Sequence, residues 1–183
     1  MYLEEALPLA QELLTKMQPY CIKAEIAGSI RREKDVCRDI EIVALPKREW
    51  NTDLFGAPTT LRRNLLYEAR DWQLELRWIK PGTNEIVDWH IKPDGRYWRG
   101  LILNRIKLDL FLCDETNFGI QYLIRTGSAE FSQKVVTALR YQKKCPVANG
   151  YIHDGAGKVI ATPDEQSVFD LLGWNYIEPR ERA

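Results

Sequence analysis

The segment RDIEIVALP, residues 38–46, most constrains what this chain can fold into. Its alternation and its apolar second half predict a strand, which Pro46 ends. Residues two apart on a strand share a face, so Asp39 and Glu41 point the same way while Ile40 and Ile42 are tied to a core. Two like charges on one face repel unless something positive lies between them. Arg31, Arg32 or Arg38 would supply that charge in an ordinary solvent-exposed strand. Hard divalent cations such as Mg²⁺ would supply it in a metal site, because they favour carboxylate oxygens and keep water or phosphate as their other ligands. The spacing leaves both readings open.

Asp109, in IKLDLFL, is a third acid set into an apolar strand, on the same face as Lys107 and Phe111. Three strand-borne carboxylates suit a two-metal cradle for phosphoryl transfer. Upstream, KAEIAGSIRR predicts a short strand running into a helix at Gly28-Ser29. A glycine at such a turn lets backbone approach a phosphate, and Ser29, the amides and Arg31 or Arg32 would supply donors and charge. The plain alternative is an N-cap followed by two solvated arginines.

Lys plus Arg and Asp plus Glu both number 26, so polyanion binding must come from local segregation. Residues 92–107 (Lys92, Arg96, Arg99, Arg105 and Lys107 against Asp94) and 125–144 (Arg125, Lys134, Arg140, Lys143 and Lys144 against Glu130) each carry an excess of four positive charges. The cysteines form no CxxC pair and only two histidines are present, which argues against zinc and for reduced thiols in a cytoplasmic protein. No signal pattern or membrane-length apolar run is visible, so no membrane partner is expected.

Apolar spacing predicts a helix over residues 3–17, kinked at or starting near Pro8, and another over 59–71. Strands between residues 72 and 113 are divided by Pro-Gly and Pro-Asp-Gly turns. Helices follow at 117–125 and 128–143, then a hairpin in YIHDGAGKVIA. The last helix has Thr162 as N-cap, Pro163 and Glu165 in its first turn, and Gly173 after its end. The fold class expected is α+β: a mixed sheet carrying helices over residues 1–114, then a smaller α/β piece over 115–183.

The ordered set GSIRR, DIEIV and KLDLF resembles the nucleotidyltransferase core of the DNA polymerase beta superfamily. RTGSAEFSQKVVTALR is similar to the start of the family X polymerase thumb, and PDEQSVFDLLGWNYIEPRER to its C-terminal end. The resemblance implies a nucleotidyltransferase palm followed by a thumb. Asp39 and Glu41 would ligate two Mg²⁺ ions (or Mn²⁺), and Asp109 would join the ion beside the primer 3′-hydroxyl and take its proton. Gly28, Ser29 and Arg32 would hold the triphosphate, with Thr126 and Gly127 along the sugar and base.

Arg125, Lys134, Arg140, Lys143 and Lys144 are the expected nucleic-acid face, and Trp89, Tyr97 and Trp98 are candidates for base stacking, although core packing suits most of them. About 23 residues precede the first palm strand, so the family's lyase and fingers domains are expected to be absent. The chain is expected to be a monomer that binds DNA and a nucleoside triphosphate. Ile124-Arg125 stands where the family usually has an aromatic pair or Gly-Trp. Ser132 and Val136 stand where it has Asn and Arg, and Glu41 where Asp is commoner. The reaction implied is nucleotide addition to a primer at gaps or breaks in DNA. Transfer to RNA, protein or a small molecule, and an inactive nucleic-acid-binding module, are the alternatives.

Overall fold

The strand carrying Asp39 and Glu41 lies inside a mixed sheet. The computed structural model describes residues 1–80, 82–87 and 91–182. In chain order the elements are α1 (Leu3–Met17), β1 (Cys21–Ile26), α2 (Gly28–Arg31), β2 (Asp39–Pro46), β3 (Arg48–Thr52), β4 (Pro58–Asn64), α3 (Leu65–Glu68), β5 (Leu76–Ile79), β6 (Ile86–Val87), β7 (Tyr97–Ile102) and β8 (Ile106–Leu112). They continue with α4 (Phe118–Thr126), α5 (Ala129–Tyr141), β9 (Val147–Ala148), β10 (Tyr151–His153), β11 (Val159–Ile160) and α6 (Glu165–Leu172). Among the described residues the main sheet has the order β1-β2-β8-β7-β5-β6, with β2 and β8 parallel and the other neighbours antiparallel.

The two faces of this sheet do different work. Ile40, Ile42, Leu108 and Leu110 point to one side and pack with Ala6, Ala10, Leu13 and Met17 of α1 in the main core. The opposite face carries Asp39, Glu41 and Asp109 on the early halves of β2 and β8. Further along, the same face turns apolar: Val43, Leu45 and Phe111 bury against Phe118 of α4. The second subdomain is therefore seated on the acid-bearing face and covers only its later half. Its own core, from Ile120, Leu123, Phe131, Val135, Leu139, Ile152, Val168 and Phe169, is separate.

One buried carboxylate ties the two parts. Glu165, at the start of α6, accepts from Arg31 of α2 through both oxygens, at 2.7 Å each. It also accepts from Arg182 at 2.7 and 3.2 Å and from the Tyr176 hydroxyl at 3.1 Å. Arg31 adds a 2.7 Å bond to the Thr126 hydroxyl and lies 3.8 Å over the Tyr122 ring. Burial pushes the Glu165 carboxyl up, but the hydrogen bonds from Arg31 and Arg182 outweigh it and hold the group below its ordinary range.

Several expectations need correction. Helix α1 does not start near Pro8 but at Leu3 and continues past it to Met17, its buried stripe from Ala6 to Met17 outweighing one missing hydrogen bond. Residues 58–64 are a strand: Leu61 and Pro58 pair with Trp50 and Thr52, so a β-ribbon replaces most of the predicted 59–71 helix and α3 keeps four of its residues. The N-cap of α6 is Asp164, which accepts from Ser167 N at 2.8 Å; Thr162 instead exchanges backbone bonds with Thr116 and Gly119. Trp98 is buried in a cluster with Trp72 and Trp78, ring centroids 5.9–6.4 Å apart, and offers no face to a base. Trp89 and His90 lie outside the described residues.

Replacing Glu165 by Ala leaves the Arg182 and Arg31 guanidiniums buried without their anion. The expected cost is about 3–5 kcal/mol, read as a lowered urea midpoint. In the native protein this contribution is lost as pH falls through the lowered carboxyl pKa, so acid unfolding of the variant should be shallower.

Candidate active site

Parallel pairing of β2 with β8 places Glu41 directly opposite Asp109 and Asp39 opposite Lys107. All three predicted acids therefore share one face within two residues of one another along the strands. The Gly28 turn closes over them. Gly28 has φ +64°, and a Cβ there would sit 2.0 Å from Glu41 Oε2, so only glycine lets the turn come this close. Ala27 N donates to Glu41 O at 2.8 Å and fixes the turn against β2.

The electrostatics follow from that crowding. Burial, then the charges of Asp39 and Asp109, push Glu41 up to about 7, with Arg125 and Arg32 pulling it back. Asp39 is also raised, by burial and by Asp109, against Arg99, Lys107 and Arg38. Asp109 is already engaged: Arg99 donates Nε to Oδ1 at 2.6 Å and Nη2 to Oδ2 at 2.7 Å, and the Tyr97 hydroxyl donates to Oδ1 at 2.7 Å. Arg99 and Asp109 are cross-strand partners on β7 and β8, so the pair is built into the register.

Among the described residues, no three acidic, His or Cys side chains are gathered into a preformed metal cage; Asp109 is instead held by Arg99. The donor set still suits a hard cation: three carboxylates on one face, two with raised pKa values that a divalent charge would relieve. Beside them Ser29 Oγ and Arg32 Nε are buried with no hydrogen-bond partner, donors that a triphosphate would satisfy.

Other expected residues fall differently. Thr126 is fully buried; its carbonyl accepts from Arg32 Nη1 and its hydroxyl from Arg31. Arg32 thus braces the second subdomain as well as facing the acids. Gly127 lies against Arg32, and a Cβ there would come within 2.9 Å of Nη1. Arg125 is not on the outer surface: its guanidinium lies 4.0 Å over the Phe111 ring, and it lines a cleft of about 520 Å³ with Glu41, Tyr97, Arg99 and Asp109. Lys134 lies 5.4 Å over the Trp174 ring, Arg140 beside Tyr141 at the end of α5, and Lys143 and Lys144 just beyond it. None of these four lines the cleft. The contacts of Arg99 and Tyr97 with Asp109 were missed in the sequence; the two sit two apart in RYWRG, a same-face signal that gains meaning only with the β7–β8 register.

This arrangement defines a nucleotidyltransferase-type palm with a thumb docked on its acid-bearing face. Residues 121–183 match the DNA polymerase beta thumb family. Bovine DNA nucleotidylexotransferase is 29% identical over 90 residues, 49% of this chain and 17% of that protein. The opossum (Monodelphis domestica) protein of the same name is 26% identical over 108 residues, 58% of this chain and 18% of its own length. Rat DNA polymerase lambda is 33% identical over 86 residues, 42% of this chain and 15% of that protein. The chain spans less than a fifth of the length of these curated relatives, and what it shares with them is similarity to family X polymerases.

Two outcomes test the electrostatics. Glu41 has its folded pKa above its ordinary 4.5, so it favours the fold fully below pH 4.5 and loses that contribution as pH rises through 7, on the order of 3 kcal/mol. Metal-free Glu41→Gln should therefore match the wild type in thermal unfolding at pH 4 and exceed it at pH 8. Arg99→Met should free Asp109 and tighten Mn²⁺ binding roughly tenfold, measured by titration calorimetry; unchanged binding would show that the guanidinium does not compete with a cation.

Proposed function

We propose that the chain is a divalent-metal-dependent DNA nucleotidyltransferase that joins a nucleotide to a primer 3′-hydroxyl and releases pyrophosphate, at gaps or breaks in DNA. The observation that carries this reading is the register setting Glu41 opposite Asp109, on one face with Asp39 and under the Gly28 turn. The relatives named as a DNA nucleotidylexotransferase and a DNA polymerase support DNA as the acceptor.

In this reading Gly28, Ser29 and Arg32 receive the β- and γ-phosphates. The positive-φ glycine lets the phosphates approach backbone, and the unpartnered Ser29 hydroxyl and Arg32 Nε gain acceptors. Asp39 and Glu41 would hold two Mg²⁺ ions, with Asp109 sharing the one nearer the primer. Bound there, such ions neutralise the triphosphate and acidify the attacking hydroxyl. Asp109 accepts the hydroxyl proton once Arg99 lets it go, and Tyr97 keeps one of its oxygens oriented. Arg125, flat on Phe111, forms the sugar-side wall, while Thr126 stays buried behind it and braces Arg31 and Arg32. Alignment and charge neutralisation then account for the rate.

The test offers labelled primer ends (single-stranded, templated and gapped) with each nucleotide and Mg²⁺ or Mn²⁺. Extension is expected, with Asp109→Ala slower by about 10²–10⁴-fold. Template-matched products make the protein a polymerase, and indiscriminate tailing makes it a terminal transferase. Absence of incorporation into any DNA end, with nucleotide still bound, transfers the reading to RNA, protein or small-molecule acceptors.

A further inference from the structure

The cleft does not stop at the acids. Arg96 and Leu112, which line it, also line a second cavity of about 570 Å³ between the β3–β4 ribbon, the end of β8 and Tyr151 of the thumb. Its apolar wall is Trp50 with its cross-strand partner Leu61. Trp50 is 47% exposed, on a ribbon whose other large side chains at the tip, Leu54 and Phe55, are also in solvent.

The charged wall is Arg48 and Arg96. Among the described residues neither has a carboxylate within salt-bridge distance. Arg48 Nε is buried without a partner, and Nη1 makes a 3.3 Å bond to Cys113 O. Burial depresses the Arg48 pKa, with Asp114 the leading charge opposing that effect. Arg96 donates to Asn149 O at 2.7 Å and lies over the Tyr151 ring. Two acids share the cavity. Asp114 is committed elsewhere: Oδ1 accepts from Thr116 N at 2.9 Å and Thr116 Oγ1 at 2.6 Å, and Oδ2 from the Tyr151 hydroxyl. Asp94 is exposed on the rim. A buried Nε–H without an acceptor is costly, and an anionic ligand reaching Arg48 relieves that cost.

An anion-seeking pair of arginines, a half-exposed indole and continuity with the cleft specify a ligand that joins phosphate to a flat apolar body. We propose that this cavity is a subsite for one unpaired nucleotide of single-stranded DNA, its phosphate on Arg48 and Arg96 and its base against Trp50 and Leu61. The inference rests on the polymerase reading for the identity of the strand. A cavity of this size accommodates a nucleotide, and stacking on an aromatic face is indifferent to which base is present.

The experiment uses the full chain without metal and a fluorescein-labelled oligo-dT, with a 5-iodouracil version for photo-cross-linking. Expected results are a cross-link mapping to Trp50 by mass spectrometry, binding weakened roughly five- to tenfold in Trp50→Ala, and a salt slope reduced by about one in Arg48→Gln. The cross-link is read on the wild type, so it holds even if Arg48→Gln folds poorly. Cross-links confined elsewhere with Trp50→Ala binding unchanged overturn the subsite. Displacement of the oligonucleotide by inorganic phosphate at equal concentration makes it a bare anion site and also overturns it. Primer extension by the same wild-type preparation separates the two ideas. Extension with unchanged Trp50→Ala binding removes the subsite alone, and cross-linking at Trp50 without extension keeps the subsite and removes the polymerase reading. Neither extension nor oligonucleotide binding removes both.

Discussion

Crowding of like charge on one sheet face is the constraint on which the rest of this structure depends. Asp39, Glu41 and Asp109 share that face because β2 runs parallel to β8 in a register that sets Glu41 against Asp109. Water cannot fully screen carboxylates that are half-buried under the Gly28 turn, so neutralising charge must come from the protein or from a ligand. The protein supplies part of it. Arg99 takes both oxygens of Asp109, and Lys107, Arg38, Arg32 and Arg125 act on the other two acids from farther away. What is left over is a Glu41 that holds its proton to about pH 7.

The same face explains the placement of the thumb. Beyond the acids the exposed side of β2 and β8 becomes Val43, Leu45 and Phe111, which need cover, and α4 provides it through Phe118. Docking on this apolar half leaves the acid half as the floor of a cleft whose far wall is the thumb. The Arg31–Glu165–Arg182 cluster then locks the start of α6 to the helix that begins at the Gly28 turn. Arg31 and Arg32 thus divide the labour of adjacent positions. Arg31 is spent on the interdomain tie, while Arg32 braces Thr126 and still presents a buried, unpartnered Nε beside the acids.

Much of this was legible in residues 24–45. Period-two alternation around Asp39 and Glu41 predicted a shared face, and the glycine before Ser29 predicted a tight approach that the φ of +64° requires. Less legible was the ribbon at residues 48–64. Leu61, Leu65 and Leu66 mimic a helical stripe, and only pairing of Trp50 with Leu61 makes the first part a strand. The cap of the last helix was displaced by two residues because Thr162 is consumed by backbone bonds to Thr116 and Gly119. Glu165, predicted as part of a capping turn, became the buried anion between subdomains.

The sequence by itself determined that three carboxylates would lie on strands rich in apolar neighbours, that a glycine-serine turn would precede them, and that a thumb-like segment would follow. Those features are local: alternation, turn chemistry and the order of motifs carry them along the chain. Only the tertiary structure decided that Arg99 would be the counter-ion of Asp109, that Arg125 would turn inward onto Phe111, and that Arg48 would bury its Nε without a hydrogen-bond partner in a cavity shared with Trp50. Each depends on which strands are neighbours and in what register, and register is set by packing between segments far apart in the chain.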